Sequence, residues 1–246
     1  MRIYAIGDIH GQLQMLRSAH DLIAADRELC GDRTAPVVHL GDYNDRGPDS
    51  AGVIQALIDG IADGLPWLAI KGNHDRLLTG FLGRHDYLDP YLGTRILWFD
   101  PRMGGDKTLA SYGVHDVAQR PLSEVHKETA DAVPAAHREF LENLPLYLET
   151  PDLILVHAGI RPGVPLEQQE EEDLVWIRNG FVDDMTDHGR LVVHGHTALD
   201  EPTHFGNRVD LDSGAGFFRS LTVAVFEGRD CWVLTETGRQ PLLPPD

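Results

Sequence analysis

The sequence has few cysteines. Only 2 of its 246 residues are cysteine, and Cys30 and Cys231 belong to no C-x-x-C pair, which argues against a disulfide framework or a structural zinc knuckle. Neither is followed six residues later by arginine, because those positions are Pro36 and Thr237. This argues against the nucleophile loop of a cysteine-dependent phosphatase. Both thiols are therefore expected in the core.

Positive charge and long apolar runs are also scarce. The chain has 21 Lys and Arg against 39 Asp and Glu, a net charge of −18, whereas polyanions bind proteins with a surplus of positive surface. Long nucleic acids and membrane surfaces are therefore not expected as partners. The longest apolar runs, such as residues 153–156, are strand-sized and far below the roughly 20 residues of a membrane helix. The start of the sequence has no signal-peptide pattern, so we expect a soluble, cytoplasmic protein.

Five short apolar or β-branched runs end abruptly in glycine, aspartate, asparagine or histidine. Such runs suit strands that are buried on both faces. Between two of them, Val53, Leu57 and Ile61 recur at helical spacing and predict a helix that begins near residues 48–50 and ends by Gly64. Strand, loop and helix in alternation predict an α/β fold, in which polar residues past the strand ends converge on one rim. The five runs are residues 2–6, 36–40, 67–70, 153–156 and 191–193.

The pattern changes in two places along the chain. Residues 83–134 are a looser segment with aromatic residues, glycine and proline, and we expect them to form an insertion over the rim. Segments 209–211, 221–226 and 231–235 predict short strands of a second sheet. The sequence shows no internal repeat and no clear linker, so a single domain over residues 1–246 is expected.

Carboxylate, imidazole or carboxamide side chains follow each of the five runs. Burying such groups unpaired costs several kcal/mol each, and metal coordination removes that cost. A donor set with nitrogen and oxygen but no thiolate suits manganese, iron or zinc, and is too rich in nitrogen for calcium or magnesium. The polar residues at the run ends are Asp8, His10, Asp42, Asp45, Arg46, Asn73, His74, His157, His194 and His196.

The motifs GDIHG, GDYNDRG, GNHD, HAG and HGH occur in this order. They resemble the successive signatures of the calcineurin-like metallophosphoesterases, and the GD-x-x-DRG form resembles the phosphoprotein phosphatase branch, including bacterial serine/threonine protein phosphatases. The resemblance implies an α/β fold with a central β-sandwich of mixed sheets, flanked by helices in four layers. It also implies two divalent metal ions at one edge of the sandwich, with manganese first and iron or zinc as alternatives.

The resemblance also implies a role for each motif residue. His74 would be the general acid, and Asp45 would orient it. Arg46, Asn73 and Arg178 of the segment DLVWIRNG would bind the phosphate group. Asp42 would bridge the two metals, and the complete ligand set would be Asp8, His10, Asp42, Asn73, His157 and His196.

Physical chemistry supports these roles. Two divalent ions about 3.5–4 Å apart can hold one hydroxide at neutral pH and polarise phosphoryl oxygens. A departing alkoxide needs a proton, which a histidine can supply, and guanidinium forks match phosphate. The predicted reaction is therefore hydrolysis of phosphoserine or phosphothreonine in proteins, and of small aryl phosphates, by direct attack of that hydroxide.

Three residues leave the function open to alternatives. Asn44 stands where the phosphatase branch has an apolar residue, and Asp75 of GNHD is typical of symmetric diadenosine tetraphosphate hydrolases. Such a hydrolase is the alternative function. A non-catalytic scaffold of the same fold is a third reading, although scaffolds typically lack the acid that His74 provides. His194, commonly Arg in protein phosphatases, is expected to support the site rather than to bind metal.

Overall fold

Two mixed β-sheets form the centre of the fold. The computed structural model describes residues 1–93 and 96–245. Most of the predicted strands form within one or two residues of the expected bounds. In chain order the strands are β1 (Arg2–Ile6), β2 (Val37–His39), β3 (Trp67–Ala69), β4 (Tyr147–Glu149), β5 (Leu153–Val156), β6 (Leu191–His194), β7 (Thr203–His204), β8 (Arg208–Asp210), β9 (Val223–Glu227), β10 (Asp230–Thr235) and β11 (Gly238–Pro241).

The strand order differs from the expected second sheet. A six-stranded sheet has the order β11-β10-β9-β1-β2-β3, and a five-stranded sheet has the order β4-β5-β6-β8-β7. The prediction that segments 209–211, 221–226 and 231–235 share one second sheet is therefore wrong. β8 lies parallel to β6, whereas β9 pairs antiparallel with β1 and leads into the β9–β10 hairpin. The last strands thus complete both sheets.

Helices cover the outer face of the six-stranded sheet. The helix predicted from Val53, Leu57 and Ile61 is confirmed as α2, and the Asp49 carboxylate caps its start by accepting from the Gly52 N–H at 2.8 Å. Short 3-10 helices lie at Val117–Gln119, Leu166–Gln168 and Ala215–Phe217. The α-helices are α1 (Leu13–Cys30), α2 (Ser50–Ala62), α3 (Asn73–Gly83), α4 (Gly105–Ser111), α5 (Leu122–Ala132), α6 (Ala135–Glu142) and α7 (Glu171–Trp176).

Three clusters of buried apolar residues join the sheets and helices to one another. Ala5, Val38 and Leu155 belong to the cluster between the two sheets. The largest cluster joins the other face of the six-stranded sheet to the helices, and the third joins the five-stranded sheet to α7. This arrangement confirms the predicted sandwich flanked by helices. The prediction of strands buried on both faces is wrong for β3, a sheet edge where Leu68 is 42% exposed.

The segment 83–134 packs on the same core as the first helices. Trp98, Leu109 and Val125 are buried in the largest cluster together with Leu57. That this segment is an insertion within a single domain remains a prediction.

Within the described residues, none of the helices is both long enough and apolar enough to cross a membrane.

Two histidines outside the motifs, one on α1 and one on β2, form a hydrogen-bonded pair. His39 Nδ1 lies 2.9 Å from the Leu68 carbonyl oxygen and carries a proton, so His39 Nε2 accepts from His20 Nε2 at 3.0 Å. The His20 ring stacks on Trp67 with the ring centres 3.9 Å apart. Burial lowers the pKa of His20 to about 3 and that of His39 to about 4, so both rings are neutral at pH 7 in the folded protein.

The pair predicts a loss of stability in mild acid. Unfolded histidine has a pKa of about 6.5, so below this pH the unfolded chain binds more protons, and each such histidine removes about 2 kcal/mol of stability between about pH 7.5 and about pH 5. His20→Phe keeps the stacking on Trp67 and should reduce this pH dependence by about 2 kcal/mol, as measured by urea unfolding at both pH values. The exposed His115→Gln is the control. Equal pH dependence in the parent and His20→Phe would contradict the account.

Candidate metal centre and reaction site

The polar residues after the strands meet at one rim of the sandwich. Asp42 lies between two histidines and directs a different oxygen to each: His10 Nε2 is 3.4 Å from Oδ2, and His157 Nε2 is 3.4 Å from Oδ1. All three side chains are buried, and so are Asp8 and His74. The convergence expected from the α/β pattern is therefore present, and the position of Asp42 suits a group shared by two ions.

The backbone at this rim is strained. In the described part of the chain, seven non-glycine residues have a positive φ, and five of them belong to the predicted site. Left-handed backbone in such residues is costly, and it persists where the surrounding structure fixes it, commonly at functional sites. The five are His10 (47°), Asp42 (54°), Asp45 (72°), Arg46 (63°) and His196 (66°).

Three donor atoms converge beside Asp42. His157 Nε2 and His196 Nδ1 each lie 2.8 Å from Asn73 Oδ1. His157 Nδ1 is 2.8 Å from the Leu40 carbonyl oxygen and therefore carries the ring proton, while burial lowers the pKa of His157 to about 4. The lone pair of Nε2 thus faces the lone pairs of an amide oxygen, an arrangement that a cation stabilises.

Asp8 offers a buried oxygen without a partner. Its Oδ2 accepts from the His196 N–H at 3.0 Å, whereas Oδ1 has no hydrogen-bond partner among the described residues. Burial and the nearby carboxylates of Asp212 and Asp42 raise the pKa of Asp8 well above its usual value. Gly195 is needed beside it, because a Cβ there would lie 2.0 Å from Oδ1. An unpaired buried carboxylate oxygen fits a metal ligand, and the donor set fits two divalent ions.

His74 and Asp45 form a buried pair next to these donors. His74 Nδ1 lies 2.6 Å from Asp45 Oδ2 and donates to it, so His74 Nε2 faces the site. Arg46 donates from Nη2 to His74 Nε2 at 3.0 Å and from Nη1 to His10 Nε2 at 2.6 Å. Burial, with the Arg46 charge second, holds the pKa of His74 well below its usual range. The His74 donor also falls within 4.8 Å of those of His10 and Asp42.

Asp45 is held by donors that sequence reasoning missed. Trp98 Nε1 donates to its Oδ2 at 2.8 Å, and Thr108 Oγ1 donates to its Oδ1 at 2.6 Å. Asn44, the departure from the phosphatase pattern, donates to Oδ1 at 2.8 Å and to the His74 carbonyl oxygen at 3.2 Å. Segment 83–134 therefore supplies part of the support for the His74–Asp45 pair. No local pattern marks Trp98 or Thr108 for this role.

Asp75 does not contact the donors of the site through its side chain. Its carboxylate accepts from the backbone N–H groups of Asp42 (2.9 Å), Tyr43 (3.0 Å) and Gly72 (2.8 Å). It thus fixes the loop that carries Asp42. The interpretation of Asp75 as a mark of the substrate has no support in these contacts.

His194 and Arg178 flank the site differently. His194 packs on Phe181, and its Nε2 lies 3.2 Å from Arg208 Nη1, so its side chain lies outside the donor set; that it supports the site remains a prediction. Arg178 is half-buried and donates to the His196 carbonyl oxygen at 3.0 Å, which puts its guanidinium beside a predicted ligand. Asp212, which also lies near Asp8, was missed, although it follows a strand as the motif residues do.

Comparisons with known proteins agree with this geometry. The calcineurin-like phosphoesterase profile matches residues 1–223, and the chain belongs to that family. It is thus a hydrolase of the metallophosphoesterase type, a family whose members use a dinuclear divalent metal centre.

Similar proteins include both tetraphosphatases and phosphatases. The chain is 26% identical to the asymmetrical bis(5'-nucleosyl)-tetraphosphatase PrpE of Oceanobacillus iheyensis, with 99% of this chain and 95% of the relative covered. A crystal structure provisionally described as a diadenosine tetraphosphatase has a TM-score of 0.64 at 22% identity, over 95% of this chain and 92% of that one. A cold-active protein-tyrosine phosphatase of Shewanella has a TM-score of 0.63 at 15% identity, over 98% of this chain and 80% of that one. The two solved structures show the shared fold.

Proposed function

We propose that the protein is a metal-dependent hydrolase of dinucleoside polyphosphates, with diadenosine tetraphosphate as the model substrate and ATP and AMP as products. The observation that carries the substrate class is the match, over nearly the whole of both chains, to a relative named as an asymmetrical tetraphosphatase. This choice reverses the order of the two functions weighed from the sequence. It also replaces symmetric by asymmetric cleavage.

We assign the donor atoms to two sets that share Asp42, and the Asp8 oxygen also lies within 4.8 Å of the Asp42 and His157 donors. Asp8, His10 and Asp42 Oδ2 would hold one ion, and Asp42 Oδ1, Asn73, His157 and His196 the other, with manganese as the first candidate metal. Bound ions of this kind lower the pKa of a water and neutralise phosphoryl charge. The carboxylate of Asp42 has two oxygens and a central position, so both ions would depend on it.

The remaining residues orient the phosphate and handle the proton. Arg46 and Arg178 present guanidinium groups beside the donors and would bind phosphoryl oxygens. Water loses a proton as it adds to one phosphorus, and the bond to the departing oxygen breaks. Where that oxygen is basic, His74 takes up a proton at Nε2, which accepts from Arg46 in the free site, and passes it to the oxygen. Asp45 accepts from Nδ1 and keeps Nε2 turned to the reacting group. No phosphorylated side chain forms in this scheme.

A phosphoserine or phosphothreonine phosphatase is the second candidate. The 2.6 Å contact between His74 and Asp45 favours it, because an acid of this kind matters most for a departing alkoxide. A small aryl phosphate would serve either function as a general probe.

A substrate panel separates the two candidates. The metal-loaded protein should hydrolyse diadenosine tetraphosphate with a higher kcat/KM than phosphoserine and phosphothreonine peptides, and the metal-free protein should hydrolyse neither. Faster hydrolysis of the peptides would favour the second candidate. If the manganese-loaded protein hydrolyses neither substrate, the result would instead support a non-catalytic scaffold.

A further inference from the structure

A cavity of about 350 Å³ opens beside Arg46. It lies between the segment that leads into α4 and the loop that follows β8, and its lining includes Arg102, Lys107, Phe217 and Phe218. The loop passes over the reaction site, because a Cβ at Gly216 would lie 2.5 Å from His10 Cδ2 and 3.0 Å from Arg46 Cδ. This cavity, named here the Phe217–Phe218 cavity, therefore shares a wall with the site.

Two neighbouring phenylalanines in the cavity are exposed to solvent. Phe217 is 56% exposed and Phe218 is 71% exposed. The Arg46 guanidinium carbon lies 4.8 Å from the centre of the Phe217 ring. Phe218 has a φ of 60°, a left-handed conformation that is rare for a bulky residue. Burial in the core explains neither side chain, and strained backbone of this kind is typical of functional sites.

The cavity is cationic in an otherwise acidic chain. Arg46, Arg102 and Lys107 line it, and two carboxylates lie beside them: Asp106, 3.6 Å from Lys107 Nζ, and Asp100, which pairs with Arg102. Three cations thus face two anions in a chain with a net charge of −18. Arg102 pairs with Asp100 through Nε and Nη2, and its Nη1 makes no hydrogen bond within the described residues. Local positive charge concentrates anionic ligands even when the protein as a whole repels them.

We propose that the Phe217–Phe218 cavity binds one nucleoside of the dinucleoside polyphosphate together with the phosphates next to it. The base stacks on Phe218 and Phe217, and Lys107 and Arg102 contact phosphates beyond the one held at Arg46. This inference rests on the proposed function. Aromatic rings bind a flat base by stacking, and cations beyond the reacting phosphate suit a phosphate chain better than a single phosphorylated side chain.

The kinetic test compares two substrates in variants of the most exposed ring. Base stacking is worth roughly 1–3 kcal/mol by alanine substitution, about five- to 150-fold. We expect Phe218→Ala to lower the ratio of kcat/KM for diadenosine tetraphosphate to that for p-nitrophenyl phosphate by about tenfold, mainly through KM. Phe218→Trp should restore the ratio, because it keeps a stacking surface. Leu29→Ala, at a side chain 83% exposed and outside the cavity, is the control.

A binding test separates this inference from the proposed function. Calorimetry on the manganese-loaded protein should show tighter binding of ATP than of inorganic tripolyphosphate, and Phe218→Ala should remove the difference. Lys107→Ala should weaken both ligands relative to the exposed control Lys127→Ala. If these binding differences are found but the protein does not hydrolyse the dinucleotide, the cavity is a nucleotide site and the proposed function is wrong.

Other outcomes overturn the inference. Equal affinity for ATP and tripolyphosphate in the parent protein would contradict the subsite, even if the dinucleotide is hydrolysed. A Phe218→Ala variant that keeps both the parent kinetic ratio and the parent ATP affinity would do the same. A loss confined to phosphopeptide substrates would assign the cavity to a peptide instead.

Discussion

His74→Asn should lower kcat on a phosphoserine peptide by about 10²–10⁴-fold, the usual contribution of a general acid. The effect on diadenosine tetraphosphate should be much smaller. A departing phosphate ionises near neutral pH, with a second pKa of about 6, so it leaves without a donated proton, whereas a seryl alkoxide does not. The His74–Asp45 contact of 2.6 Å keeps Nε2 facing the site, and the variant removes the atom that donates.

Steady-state kinetics on both substrates with equal metal content tests this prediction. His137→Asn is a matched control, because His137 is also buried and hydrogen-bonded, to Tyr112 and Gln55, but lies outside the site. Equal rates in the variant and the parent on the peptide would refute the acid role. A loss of metal from His74→Asn would instead make His74 a ligand, which its closeness to His10 and Asp42 allows.

Asp42→Asn should lower the affinity for both metal ions together. Residues that only support a ligand typically change metal affinity by about 10–100-fold, so the shared ligand itself should cost about 100-fold or more. Activity on every substrate should fall with the metal. The cause is geometric, because Asp42 directs one oxygen to His10 and the other to His157.

Metal analysis of the purified variant gives the result directly. Asp26→Asn is the control, since Asp26 is a buried carboxylate outside the donor set, where it pairs with Arg239 and Tyr4. Circular dichroism of both variants shows whether each is folded. The loss of one ion with retention of the other would contradict the position of Asp42 between two metal sites.

The central site could be predicted from the sequence because of simple geometry. Short buried runs followed at once by polar residues place those residues at strand ends, and parallel strands bring their carboxyl ends to one rim. Asp8 and Asp42 come together for that reason, and His157 meets them from the end of β5 in the facing sheet. The five positive-φ residues at the rim could not be foreseen individually, since aspartate and histidine are enriched in left-handed backbone but adopt it at only a minority of their positions.

The support around the site came from long-range packing. Trp98 and Thr108 reach Asp45 only because segment 83–134 folds onto the same core as α2, and nothing in their own neighbourhood indicates that contact. The division of β8 and β9 between two sheets likewise depends on which earlier strand each one pairs with. Asp212 could have been predicted in the same way as the motif residues, since it too follows a strand.

The net charge of −18 describes the whole chain and does not apply to the surroundings of the site. The acidic chain disfavours long polyanions, but Arg46, Arg102 and Lys107 gather positive charge at one cavity beside the donors. A short phosphate chain can therefore reach the site where a nucleic acid would be repelled.

The most direct test of the account is the product composition after hydrolysis of diadenosine tetraphosphate by the manganese-loaded protein. We expect ATP and AMP in equal amounts, with no turnover after the metal is removed and no phosphorylated protein during the reaction. Formation of two molecules of ADP, or turnover that persists without metal, would contradict it.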